Sequence, residues 1–350
     1  MKNIMKTLFI SITSLSLVLS AANAGELAVN GTAKATYNSV SGGNADNGIG
    51  VTNELNFTAS GEMDNGYTWS YSMELDPSTG SAAGGETAGA AINDDTMISL
   101  TLNDLGTIKA CVSECGNNKK YAFDQSAYTK MSDTGFSEGI IYPSDSGAYA
   151  SLQYHTPELP LSTKIAYSYG QNKTDGQSGN ATVSSGNSIE EYAISTSPVD
   201  GLTLSASYYD INDYGDGIKT EEQLEEGGAY GVTYAYGNAT IGYGKSFKAP
   251  ETTTATRTAG ATTVEYYENT GISIGYAVND DLSVSYTSED SERSFQTSAT
   301  TAYDISMDSV QIAYSLGGAT LSIARADYDN VGYTNGIDTT ETIIAMSFAF

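Results

Sequence analysis

Along most of this chain, apolar and small polar residues alternate with a period of two. Ile272, Ile274, Tyr276 and Val278 share one parity, against Ser273, Gly275 and Ala277. Leu282, Val284 and Tyr286 oppose Ser283, Ser285 and Thr287; Leu202, Leu204, Ala206 and Tyr208 oppose Thr203, Ser205 and Ser207. Tyr67, Trp69, Tyr71 and Met73 oppose Thr68, Ser70, Ser72 and Glu74. Successive strand side chains point to opposite faces, so each segment reads as a strand with one apolar and one polar face. Helical spacing fits none of them.

The connections alternate too, short then long. The short ones, such as Asp64-Asn65-Gly66, Val199-Asp200-Gly201, Gly237-Asn238 and Gly317-Gly318, are hairpin-turn sequences that tolerate positive φ. The long ones are polar: 76–94, 112–146, 172–187, 211–227, 248–263, 290–301 and 329–337. Between them the pattern predicts sixteen strands, near 26–37, 49–62, 67–75, 95–102, 106–111, 147–156, 163–171, 188–197, 202–210, 228–236, 239–247, 264–278, 282–289, 302–316, 319–328 and 338–350. A soluble sandwich also alternates, but its apolar face packs on a second sheet. Here the polar parity is mostly Ser, Thr, Gly, Ala and Asn, which suits a wet lumen. The other parity is rich in Tyr, which suits a lipid face with aromatic girdles. A solenoid would show a shorter fixed repeat. The expected fold is all-β: a transmembrane antiparallel up-and-down barrel.

The first residues supply an address. Lys2 and Lys6 precede an apolar stretch, Leu8 to Leu19, and then Ala22-Asn23-Ala24, a small-x-small cleavage site. Residues 1–24 are therefore expected to be a removed signal peptide, with 25–350 as the barrel domain. Cleavage removes two lysines and no acid, taking the formal net charge from −27 to −29. So acidic a chain lacks the basic footprint that a nucleic-acid partner demands. No later stretch is long and apolar enough for a transmembrane helix, so membrane residence requires β-structure.

The last strand ends on Phe350, with Phe348, Met346 and Ile344 on the same face. At this point the sequence resembles the Gram-negative diffusion porins, in which a terminal Phe on an alternating strand is the outer-membrane assembly signal. The resemblance covers strand number, loop asymmetry and an unusually long third loop over essentially the whole mature chain. It implies a homotrimer in the outer membrane, in contact with lipid, lipopolysaccharide and the assembly machinery, passing small solutes and ions. It also implies that the third loop folds into the barrel and narrows the pore. Here that loop is 112–146, carrying Glu114, Asp124, Asp133, Glu138 and Asp145 with Lys119, Lys120 and Lys130 interspersed. A solvated surface loop is the alternative.

Parity places Lys34, Lys109, Lys164, Glu54 and Glu74 on the lumen side, where charges bias local ion concentration. Wall lysines facing loop carboxylates would set up a transverse field; isolated solvated groups would not. Lys245 and Arg325 take the outward parity instead. Either they sit at the outer rim near lipopolysaccharide phosphates or a neighbouring subunit, or a β-bulge returns them to the lumen. A mid-bilayer cation on the lipid face would cost about 2–4 kcal/mol.

Cys111 and Cys115 are the only cysteines, and export favours a disulfide at the root of the third loop over a two-thiolate metal pair. Asp210, Asn212, Asp216 and Glu221 resemble a calcium loop with Gly215 at position six, but Tyr214 breaks position five; an acidic outer loop explains them as well. No cofactor is expected beyond loosely bound divalent cations such as calcium. The single histidine, His155, has no visible nucleophile and orienting acid, so an enzyme is not expected. The expected function is passive diffusion through a mildly cation-selective channel. A substrate-specific channel and a closed structural or adhesive barrel are the alternatives.

Overall fold

The computed structural model describes all residues except 1–25, 43–46, 77–91, 113–114, 117–138, 174–187, 213–222, 253–261 and 298–299. Its strands are β1 (Glu26–Ser41), β2 (Gly48–Glu62), β3 (Thr68–Asp76), β4 (Ile92–Thr101), β5 (Thr107–Val112), β6 (Tyr149–His155), β7 (Lys164–Lys173) and β8 (Ser188–Val199). They continue as β9 (Leu202–Asn212), β10 (Glu226–Tyr236), β11 (Ala239–Ala249), β12 (Val264–Ala277), β13 (Leu282–Phe295), β14 (Ile305–Ser315), β15 (Ala319–Asp329) and β16 (Thr339–Ala349). Every strand pairs antiparallel with its chain neighbours, and β1 pairs with β16 to close the barrel. Closure leaves no sheet edge, the condition for a β-protein to span lipid. The seam is tight at its foot: Gly31 N–H donates to the Phe350 carbonyl at 2.8 Å, and Phe350 N–H donates back at 3.0 Å.

The outward face follows the alternation. On β16, Ile344, Met346 and Phe348 are exposed while Ile343 and Ala345 are buried; on β14, Val310, Ile312 and Tyr314 are exposed while Ser309 and Gln311 are buried. Register carries this parity around the ring, because cross-strand partners share a face. An apolar outside is what lipid selects.

The strand ends differ from the sequence expectation most at β13, and by three or four residues at the end of β1 and the starts of β4 and β14. β13 runs past the expected end at Glu289 to Phe295, through Asp290, Ser291, Glu292 and Arg293, which the polar composition assigns to a loop. The alternation persists there: Glu289 and Ser291 are buried inside, and Asp290 and Glu292 are exposed outside. Charge marks where the strand leaves the membrane, not where the sheet ends.

The inside is also less uniformly wet than composition suggests. Ile305, Met307, Ala324, Ala326, Tyr328 and Ile343, all of inward parity, form a buried cluster with Ile140 and Tyr333 from the connections. A second inward cluster joins Tyr149, Ile189, Tyr209 and Ile211. These apolar patches are floors on which chain folded into the barrel can pack.

Candidate pore lining

What packs on those floors is the returning limb of the third loop, residues 139–148. The Ile141 carbonyl accepts from Asn269 Nδ2 on β12 at 3.0 Å, and Tyr142 Oη donates to Glu289 Oε2 on β13 at 3.0 Å. Two residues on, Ser144 N–H donates to Tyr209 Oη on β9 at 3.1 Å, and Lys248 Nζ on β11 reaches Ser144 Oγ at 2.8 Å. Then Ser146 Oγ donates to Glu191 Oε2 on β8 at 2.5 Å. A segment so short touches strands from β8 to β13 only by running along their inner face. The third loop therefore re-enters the barrel on this limb.

The firmest anchor is polar. Glu225 Oε1 accepts from Ser144 Oγ at 2.6 Å, from Tyr209 Oη at 3.1 Å and from Lys248 Nζ at 2.9 Å. Burial alone would raise the Glu225 carboxyl. The hydrogen bonds from Ser144 and Lys248, with the Lys248 charge and Tyr209 behind them, outweigh it and hold the group below the ordinary carboxylate range. Tyr209 reaches this point because Gly227 faces it across the β9–β10 ladder. A Cβ on Gly227 would lie 2.7 Å from the Tyr209 ring. Burial, and then the Glu289 charge, raise the Tyr142 phenol well above its usual range, so it stays a neutral donor at any physiological pH.

The foot of the loop is closed by a disulfide between Cys111, at the buried inner face of β5, and Cys115, with Cα atoms 6.3 Å apart. Gln153 on β6 donates its amide to the Cys115 carbonyl at 3.0 Å, and its own carbonyl meets His155 Nε2 at 2.9 Å. The histidine is thus engaged in holding the loop root.

The expected wall charges lie on several strands. Lys34 faces Ser347 and Thr52 across its two ladders, and Glu54 pairs with Thr32, whose hydroxyl donates to Glu54 Oε2 at 3.1 Å. Glu74 pairs with Asn56, and Lys109 lies between Ser99 and Gln153. Lys164 opens β7 at the short-turn end, 4.0 Å from Glu158. Lys34, Lys109 and Lys164 stand on β1, β5 and β7. Glu114, Lys119, Lys120, Asp124, Lys130, Asp133 and Glu138 lie outside the described residues, as do Asp216 and Glu221. Asp210 and Asn212 continue β9, where the Asn212 amide donates to the Asp210 carboxylate. Among the described residues no group of three or more His, Cys, Asp or Glu side chains is placed to hold a metal.

Lys245 and Arg325 face outward. The β11 and β15 registers run without a shift, which removes the bulge alternative. Each cation has an acid beside it on the outer wall: Lys245 Nζ lies 2.6 Å from Glu268, and Arg325 lies 3.1 Å from Asp327. Such exposed pairs add little to stability and mainly spare the cation a bare lipid face.

Sequence reasoning passed over Tyr209, Glu225, Lys248, Asn269, Ser291 and Tyr333. One signal was available. A bulky Tyr on the otherwise small inward parity, opposite a glycine, marks a place where something docks.

A closed sixteen-strand barrel, apolar outside and with a loop returning along its inner wall, defines the outer-membrane channel proteins. The chain belongs to the Gram-negative porin family, whose sequence profile matches residues 11–336. No curated protein sequence matches the chain significantly. Among solved structures it is similar to OmpF of Salmonella typhi in complex with daunomycin, with TM-score 0.64 and 13% identity over 93% of this chain and 98% of that one. It is similar to the trimer form of OmpT of Vibrio cholerae, with TM-score 0.62 and 12% identity over 94% and 100% of the two chains. A porin refined at 1.8 Å resolution gives TM-score 0.62 and 15% identity over 93% and 100%. At these identities the likeness is one of fold.

Proposed function

We propose that this outer-membrane porin passes small hydrophilic solutes and ions by passive diffusion, with the third loop as its constriction and a mild preference for cations. The observation that carries this reading is the one-sided docking of residues 139–148 on the β8–β13 wall. A segment held there narrows the lumen toward the wall that carries Lys34, Glu54, Glu74 and Lys109. Cation preference rests on the excess of 42 Asp+Glu over 15 Lys+Arg, tempered because salt screens distant loop charges within about 8–10 Å. The leader 1–24 is removed on export, and the Phe350 strand is read by the assembly machinery.

The working unit is a homotrimer. Two observations support it: a solved trimer form among proteins of the same fold, and the charge distribution on the outer wall. Described outward side chains on β8–β15 include Glu190, Asp210, Glu226, Glu268, Asp308 and Asp327, whereas those on β16 and β1–β6 are uncharged, from Ile344 and Phe348 through Ala33, Ala35, Phe57 and Trp69 to Leu152. Subunit contacts deplete charge at their centre. The charged wall faces lipid and lipopolysaccharide.

The test is conductance of the refolded mature protein in a planar bilayer, with the zero-current potential across a salt gradient. Open steps arriving in threes, with a cation-selective potential, are expected. Saturation of the current by one solute would instead identify a substrate-specific channel. A correctly folded barrel that never conducts would overturn the diffusion reading in favour of a structural or adhesive barrel.

A further inference from the structure

The returning limb of the third loop is held from a second side, by the last outer connection. Tyr333 lies in residues 330–338, between β15 and β16, and only 4% of it is exposed. Its hydroxyl accepts from Ile141 N–H at 3.3 Å and lies 2.6 Å from Ser291 Oγ. Ser291 Oγ donates onward to Asn269 Oδ1 at 2.5 Å, so the Tyr333 hydroxyl is the donor in its contact with Ser291. Asn269 in turn donates to the Ile141 carbonyl at 3.0 Å. Both backbone groups of Ile141 are thus fixed in one closed circuit through Tyr333, Ser291 and Asn269.

The ring is fixed as firmly as the hydroxyl. It lies 4.9 Å from the Arg293 guanidinium, whose Nη2 also donates to the Tyr333 carbonyl at 2.9 Å, and 5.3 Å from the Tyr267 ring. The two connections touch through backbone. A Cβ on Gly139 would lie 2.8 Å from the Gly332 Cα, and both glycines have left-handed φ, +84° and +62°. Tyr333 itself sits at φ +57°, as does Asn330. Left-handed conformations cost non-glycine residues free energy and persist where surrounding contacts impose them. The connection is therefore bent to deliver one phenol under the third loop.

We propose that residues 330–338 clamp the constriction segment and that Tyr333 is its positioning residue, so that the last outer connection sets the aperture. The clamp deepens the channel reading and rests on it. Three variants separate its parts. Tyr333→Phe keeps the ring and removes the hydroxyl bonds, and Tyr333→Ala removes both. Gly139→Ala forces the two connections apart with Tyr333 intact. Tyr314→Ala, on the exposed outer wall, is the control.

Two readouts are taken on refolded full-length mature barrels. Amide exchange over 139–148 is expected to rise about tenfold in Tyr333→Phe, from the loss of net hydrogen bonding. It is expected to rise about a hundredfold or more in Tyr333→Ala. Planar-bilayer recordings are expected to show altered unit conductance, with closures at lower voltage, in Tyr333→Ala and Gly139→Ala, while heat-modifiability on gels stays as in the parent. Wild-type exchange over 139–148 in all three variants overturns the clamp. So does unchanged conductance with faster exchange, because the segment would then not set the aperture. If the parent barrel itself does not conduct, the diffusion reading fails, and the exchange data decide the clamp on their own.

Discussion

Replacing Glu225 by Gln tests how the constriction segment is held to the wall. Glu225 and Lys248 are 17% and 18% exposed, so the pair is mostly withdrawn from water, and Ser144 and Tyr209 fill the remaining acceptor sites on the same carboxylate oxygen. Removing one partner of a buried pair costs about 3–5 kcal/mol, because the other charge is left uncompensated. The residual exposure places this site at the lower end. About 3 kcal/mol is a little over two powers of ten in the docking equilibrium. The cost falls locally, since the network ties 144 to the wall and takes no part in the strand ladders. Exchange over 139–148 should therefore accelerate about a hundredfold while the barrel keeps its melting behaviour. Lys248→Met should cost less, because Glu225 keeps its bonds from Ser144 and Tyr209. The double variant, with neither charge, should recover most of the loss, since a neutral pair of similar volume is often no worse than a buried ion pair. Wild-type exchange in Glu225→Gln, or losses that simply add in the double variant, would refute the claim that this ion pair holds the loop.

The same carboxyl gives a pH dependence. Its folded value is depressed, so the docking it supports is complete above the ordinary carboxylate value of about 4.3 and is lost as pH falls through the lower folded value. Open-channel noise should stay flat from neutral pH to about 5 and rise below about 4, and Glu225→Gln should be noisy throughout. Lys34→Gln with Lys109→Gln should shift the zero-current potential further toward cations; a shift toward anions would contradict the wall assignment. The Cys111–Cys115 disulfide predicts an unchanged mass after alkylation without reductant, and two alkyl additions after reduction. Deleting Phe350 removes both seam bonds to Gly31 and should sharply lower the yield of heat-modifiable protein in the outer membrane.

The outer wall was legible because lipid imposes one rule on every strand. Ile344, Met346 and Phe348 show it on β16, as do Ile272, Ile274 and Tyr276 on β12, and turns such as Val199-Asp200-Gly201 give the strand count. Even Lys245 and Arg325 obey it, each with an outward acid that parity alone would have found: Glu268 lies across the β11–β12 ladder near Lys245, and Asp327 is two residues along from Arg325.

The interior follows no such rule, because its contacts are made by chain that leaves the sheet and returns. Ile141 meets Tyr333 across a separation of 192 residues, and Asn269 across 128. No period in the sequence encodes such a meeting. Inward alternation constrains size and polarity only loosely, since the same face must be wet where solute passes and dry where a loop docks. That is why Ile305, Met307 and Ile343 sit inside beside Ser309 and Gln311. An apolar residue on the lumen parity is therefore informative. It marks the part of the wall given to holding the constriction, and the polar stretches beside it mark what is left for the pore.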